Sequence, residues 1–151
     1  MTRTYTFLVV VLMAMGCGKP VETSQNRLEG SWQLLSSVYL KKDTIIRNDV
    51  PGTSMIKVLN KKHFAFFLHS VNKNDSARVF ASGGGSYTLQ DSLYKEHLEY
   101  CSDKAFEGND FEFTVTLHGD TLVQEGIEKL SEMGIGEENL HLVEKYIRIK
   151  D

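Results

Sequence analysis

From Gly30 onward the chain is a succession of short runs in which apolar and polar residues alternate, broken repeatedly by turn residues. The stretch "FEFTVTLHGDTLVQEG" is the clearest case. Phe111, Phe113, Val115 and Leu117 recur at every second position, "HGD" interrupts, and a second run returns. A period of two belongs to a strand with one buried face, and two such runs across a glycine-containing turn read as a hairpin. The same grammar gives strands at "SWQLLSSVY", "TSMIKVL", "HFAFFLHSV", "RVFASGGG", "SYTLQ", "LYKEHLEYC" and "LHLVEKYIRI". A meander of about eight to ten strands leaves its outer edges exposed unless it closes on itself. The expected fold is therefore all-β: an antiparallel up-and-down β-barrel of about eight to ten strands, with a sandwich as the alternative topology.

Two connections exceed hairpin length. Residues 40–52 join the first two strands, and their Ile45, Ile46 and Val50 are apolar inside polar flanks. Residues 127–139 precede the last strand, and Ile127, Leu130 and Met133 repeat there at helical spacing. "SGGGS" (Ser82 to Ser86) leads into a strand and not into a helix, so it reads as a bend or bulge and not as a phosphate-binding loop.

The chain has 151 residues, enough for one domain, and a formal net charge of -3. That balance offers no basic footprint for nucleic acid. At the N-terminus, Arg3 precedes an apolar run from Phe7 to Met15. The run is far shorter than the roughly 20 residues of a membrane-spanning helix and fits a secretory signal. "AMGC" resembles the cleavage site of bacterial lipoproteins, with Gly16 before Cys17. The resemblance implies a signal peptide over 1–16, acylation of Cys17 and a polar tether over 17–26. With Gly18 after the cysteine, it also implies export to the cell envelope as an outer-membrane lipoprotein, anchored in the membrane by its N-terminal lipid. Cys101, the other cysteine, then has no partner for a disulfide.

No nucleophile–base pattern and no metal-ligand spacing stands out. His63 and His69 share a strand face but lie about 20 Å apart in an extended chain, and neither a CxxC nor a GxSxG occurs. The expectation is a protein that is not an enzyme, with no cofactor and no metal. The informative charges sit on apolar strand faces. In "LYKEHLEYC", Tyr94, Glu96, Leu98 and Tyr100 share one side. In the last strand, Leu140, Leu142, Glu144, Tyr146 and Arg148 share one side, while the opposite side is equally plausible as the inner one. Charges so placed must pair or reach water. They would form either an ion-pair network that holds strand register or the polar end of a ligand cavity.

"GSW" (Gly30 to Trp32), opening the first strand, resembles the Gly-x-Trp motif of lipocalins, and Arg148 resembles the arginine that those barrels stack on the tryptophan. The segments "GSYTLQDSLYKEHLEY", "GDTLVQEG" and "LVEKYIRI" are similar to lipocalin-like domains of exported proteins from Bacteroidetes-type bacteria. A Thr-Asp-Tyr turn typical of the family is absent, which favours a divergent relative with eight strands or ten. The resemblance implies a lipocalin-like barrel over 27–151, structural roles for Trp32 and Arg148 at its closed end, and ligand entry at the other end. The implied function is binding of a small apolar or amphipathic ligand. Phe64, Phe66, Tyr87, Tyr94, Leu98, Tyr100, Phe113 and Tyr146 would line the site, with Glu96 as polar handle and the 40–52 loop as lid. The alternative is a solid barrel that binds an envelope protein partner, as inhibitor or assembly factor, through Ile45, Ile46 and Val50.

Overall fold

A computed structural model describes residues 27–150, apart from 43, 73 and 75–77. Nine strands follow one another: β1 (Gly30–Lys41), β2 (Thr44–Arg47), β3 (Thr53–Leu59), β4 (His63–Ser70), β5 (Phe80–Gln90), β6 (Leu93–Cys101), β7 (Asp110–His118), β8 (Thr121–Glu128) and β9 (Leu140–Arg148). All neighbours pair antiparallel in sequence order from β3 to β9, and β9 returns to β1. The result is a closed barrel of eight strands. The ninth, β2, is the short extra one. The first part of β1 (Gly30 to Gln33) pairs with β3, and its last part (Val38 to Lys41) pairs with β2. Closure removes every long free edge and leaves a four-residue one.

The turns follow from their residues. Asp91, at φ 55°, and Ser92 connect β5 to β6, and Gly119, at φ 59°, and Asp120 connect β7 to β8. Two-residue hairpin loops require left-handed backbone, which glycine and aspartate tolerate. "RVFASGGG" and "SYTLQ" belong to one strand, β5, and a strand also forms inside the expected 40–52 loop. In the 127–139 connection a single turn forms, with the Met133 N–H donating to the Lys129 carbonyl at 3.1 Å, and buried Leu130 pins it to the barrel.

Two bulges decide which side chains face inward. In β1, Leu34 opposes Tyr146 and Ser36 opposes Lys145, so Leu35 is an extra residue. Leu35 is 53% exposed, and beyond it the inward set changes from Trp32 and Leu34 to Ser37 and Tyr39. In β6, Gly84 opposes Tyr100 and Gly85 opposes Leu98, so Glu99 is extra. Tyr94, Glu96 and Leu98 face inward as expected, but Tyr100 turns outward and is 71% exposed, while Cys101 turns in. This corrects the sequence reading, which carried one alternation through each strand. A bulge places two residues opposite one and inverts every later side chain. The glycines facing the β6 bulge, Gly84 and Gly85, have a packing reason: a Cβ on Gly84 would lie 2.7 Å from the Phe64 carbonyl oxygen, and one on Gly85 would lie 2.8 Å from the Glu99 nitrogen. In β9 the ambiguity resolves with Leu142, Glu144 and Tyr146 inward.

Candidate ligand-binding lumen

One end of the barrel is closed by residues that pair in register. Trp32 opposes Arg148 across β1 and β9, so both side chains lie on the inner face. The guanidinium carbon sits 4.1 Å from the centre of the Trp32 ring. Arg148 Nη1 donates to the Glu29 carbonyl at 2.6 Å, Arg148 Nη2 donates to the Arg27 carbonyl, and Trp32 Nε1 donates to the Leu28 carbonyl at 2.9 Å. Gly30 is required here twice over. Its φ is +133°, and a Cβ on it would lie 2.7 Å from Arg148 Nη1. This is the contact that the Gly-x-Trp resemblance implies.

The interior holds a polar cluster drawn from distant strands. Lys57, 3% exposed, comes from β3. It faces inward because it lies directly opposite Phe66 on β4, as Leu59 lies opposite Phe64, and opposed residues share a face. Its ammonium pairs with Glu96 Oε1 of β6 and donates to Gln124 Oε1 of β8 at 2.9 Å. The rings of Phe64, Tyr94 and Tyr146 surround it, with centres 5.4, 5.4 and 5.8 Å away. Gln124 Nε2 donates in turn to Glu144 Oε2 at 3.4 Å, and Glu144 also accepts from Tyr146 Oη at 2.6 Å and from Ser37 Oγ at 3.3 Å. Tyr94 Oη donates to Glu96 at 2.7 Å. Nearer the open end, Tyr39 Oη donates to Glu128 Oε2 at 2.8 Å.

Burial sets the electrostatics of this cluster. It holds the Glu144 carboxyl above the usual range, although Lys57 and the Tyr146 hydroxyl act the other way. Burial likewise raises Glu128, opposed by the Tyr39 hydrogen bond and reinforced by Glu144 and Glu96. Burial, and then the adjacent carboxylates, push Tyr39, Tyr94 and Tyr146 well above the ordinary phenol value, so each donates as a neutral hydroxyl.

Beside the cluster lies a cavity of about 250 Å³. Its inner wall is Lys57, Glu96, Gln124, Glu144 and Tyr146, and its apolar wall includes Phe66, Leu98, Phe111, Phe113 and Leu142. At the opposite end from Trp32 it is bounded by Met55, Ala81, Cys101 and Glu128, near strand ends, and by Ser102, Asp103 and Phe106 of the 102–109 loop. Phe106 stacks on Phe111, with ring centres 6.4 Å apart, and covers the mouth.

Of the nine residues proposed from sequence as lining, the structure brings Phe66, Glu96, Leu98, Phe113 and Tyr146 to the cavity. Phe64, Tyr87 and Tyr94 are buried core side chains outside its wall, and Tyr100 lies on the outer surface beyond the bulge. The partner of Glu96 is Lys57. The covering residue is Phe106, whereas Ile45 and Ile46 lie on β2 away from the cavity wall, 69% and 43% exposed. Cys17, with the signal and tether segments, lies outside the described residues. Sequence reasoning missed Lys57, Gln124 and Glu128. Their signal was present as polar residues on faces shared with Met55 and Leu59, or with Leu122.

Fold and site together define a closed eight-stranded antiparallel barrel with an ionic cluster beside an internal cavity. The chain belongs to the family described as a domain of unknown function (DUF4488), whose model matches residues 27–151. A solved crystal structure of an uncharacterized protein from Bacteroides eggerthii DSM 20697 is similar to it, at 17% sequence identity and a TM-score of 0.44, over 78% of this chain and 98% of that one. No curated protein matches.

Proposed function

We propose that this barrel is a lipocalin-like binding protein that takes a small amphipathic molecule into its lumen, its apolar body against the aromatic and aliphatic wall and its polar group toward the charged side chains that line the cavity. The observation that carries the reading is the cavity of about 250 Å³, with aromatic and aliphatic side chains on one wall and hydrogen-bonding groups on the other. Concave, mostly apolar sites with a few convergent polar groups are the usual form of small-molecule sites. The volume is just below the roughly 300 Å³ at which such sites usually begin, so the ligand is small and compact. Lys57 and Glu96 are tied to each other and to neighbours, which suits holding a ligand better than acid–base turnover. The reading is therefore of a carrier or scavenger and not of an enzyme.

The test is to fill the cavity. Ala81 is part of the wall, and Ala81→Phe should abolish retention of small amphiphiles by native mass spectrometry while the barrel remains folded by circular dichroism. Retention unchanged in a folded Ala81→Phe variant would reject the lumen as the site. We further propose that Cys17 is acylated and holds the domain on the envelope membrane. Cys17→Ser should move the protein to the soluble envelope fraction, and unchanged membrane association would reject the anchor. The partner-binding alternative rests on Ile45, Ile46 and Val50, exposed on and beside β2.

A further inference from the structure

The charges of the cavity wall do not balance. Its ionisable groups are one cation, Lys57, against the carboxylates of Glu96, Glu128 and Glu144 inside and Asp103 at the rim. Lys57 is already committed to Glu96 and Gln124. Glu144 is committed to three donors, Gln124, Tyr146 and Ser37. Glu128 differs. Its Oε2 accepts from Tyr39, whereas its Oε1 has no donor among the described residues, and it borders the cavity at the mouth. Glu128 is only half-buried, so this oxygen stands open to a donor arriving at the mouth, and an anionic guest would bring a further like charge beside the carboxylates.

We infer that the ligand carries a cation, a protonated amine or amidine on a short apolar body, and that Glu128 receives it through Oε1 while Tyr39 holds the other carboxylate oxygen. This rests on the lumen-binding reading above and specifies its ligand class. The apolar body would lie on Phe106, Phe111 and Leu142, and the ammonium would meet Glu128 with Asp103 behind it at the rim. The carboxylate–ammonium hydrogen bond is charge-assisted and gains strength as the mouth excludes water. Fatty-acid carriage is disfavoured by the same count, because its carboxylate would find the single lysine already paired.

The experiment compares hexylamine, hexanol and hexanoate, which share one apolar body and differ in head-group charge. Calorimetric titration of the intact domain should give hexylamine an affinity at least about tenfold above hexanoate and several-fold above hexanol. Glu128→Gln, which keeps shape and removes charge, should lower hexylamine affinity about tenfold and leave hexanol unchanged. Hexanoate binding as tightly as hexylamine in the unmodified domain would overturn the inference without any variant. So would a folded Glu128→Gln protein with undiminished amine affinity. If hexanol binds with no preference for the amine, the cationic class fails and the lumen reading stands. If none of the three binds, both fail.

Discussion

Two sites on the inner face of the barrel set a cation against aromatic rings, and they manage its charge in opposite ways, although Trp32 and Lys57 oppose each other across β1 and β3. At the closed end Arg148 lies over Trp32 and is satisfied by the neutral carbonyls of Arg27 and Glu29. It remains half-buried, so water carries part of the charge. In the lumen Lys57 sits among three rings at 3% exposure, and neutral acceptors alone do not suffice. It takes a carboxylate from β6 and an amide from β8, and through that amide it is linked to Glu144 on β9. The closed end is thus a local device, built from residues that one pair of strands already brings together. The lumen is a collective device whose polar parts come from five strands and whose carboxylates outnumber its one lysine. A stacked, solvent-touching arginine makes a lock. A buried, over-compensated lysine makes a polarised surface on which a guest can complete the balance.

The contrast can be broken most forcefully at Trp32. Trp32→Ala removes the largest fully buried side chain and should lower stability by about 3–5 kcal/mol, read as a shift of the denaturation midpoint at constant slope. Once folded, the variant should still bind in the lumen, since the ring lies outside the cavity wall. Lost binding in a folded Trp32→Ala protein would show that the two sites are coupled through the Trp32–Lys57 pairing of β1 and β3. Lys57→Met comes next. Alone it strands Glu96 without its cation and should destabilise by about 3 kcal/mol, while adding Glu96→Gln should restore most of the loss, because an isolated buried charge is worse than none. A neutral effect of Lys57→Met would mean that water reaches the cluster.

Smaller effects sharpen the comparison. A double-mutant cycle of Trp32→Phe with Arg148→Met should show coupling of about 0.5–2 kcal/mol, and strict additivity would remove the cation–π contact from the account. The lumen carries a pH signature that the closed end lacks. Glu144 and Glu128 have raised folded-state values relative to 4.5. Their protonated forms are favoured on folding, so their contribution is fully present below about 4.5 and lost as pH rises through the folded values. Carboxylates nearer the surface, such as Glu107 and Asp120, are lowered chiefly by hydrogen bonds from their lysine partners and act with the opposite sign. The measurement is therefore a difference in melting temperature, at high salt to screen the surface, between the native protein and Glu128→Gln/Glu144→Gln. The native protein should gain stability relative to the variant between pH 7 and pH 5, and parallel curves would contradict the burial of these groups. Least of all, Tyr100→Ser should change stability by less than about 0.5 kcal/mol and leave binding intact, in keeping with an exposed position. A large loss would put Tyr100 back inside and dissolve the β6 bulge.

Alternation and turn chemistry determined, from the sequence by itself, that this chain is all-β and antiparallel, because a period of two with glycine and aspartate turns allows little else; closure into a barrel was the expectation, with a sandwich as the alternative, and the β1–β9 pairing decided it. The Gly30, Trp32 and Arg148 lock was also legible, since it depends on a short motif and one terminal-strand residue. Tertiary structure alone decided which way the second half of β1 and the end of β6 face. Single-residue bulges at Leu35 and Glu99 leave no mark in the hydrophobic pattern, yet they send Tyr100 out and bring Ser37 and Tyr39 to Glu144 and Glu128. In β3 both faces carry apolar residues, and only the pairing of Lys57 with Phe66 and of Leu59 with Phe64 turns Lys57 inward and leaves Val58 37% exposed. The sign of the lumen depends on pairings across the whole barrel, among residues far apart in the chain, and no local period encodes which lysine meets which glutamate.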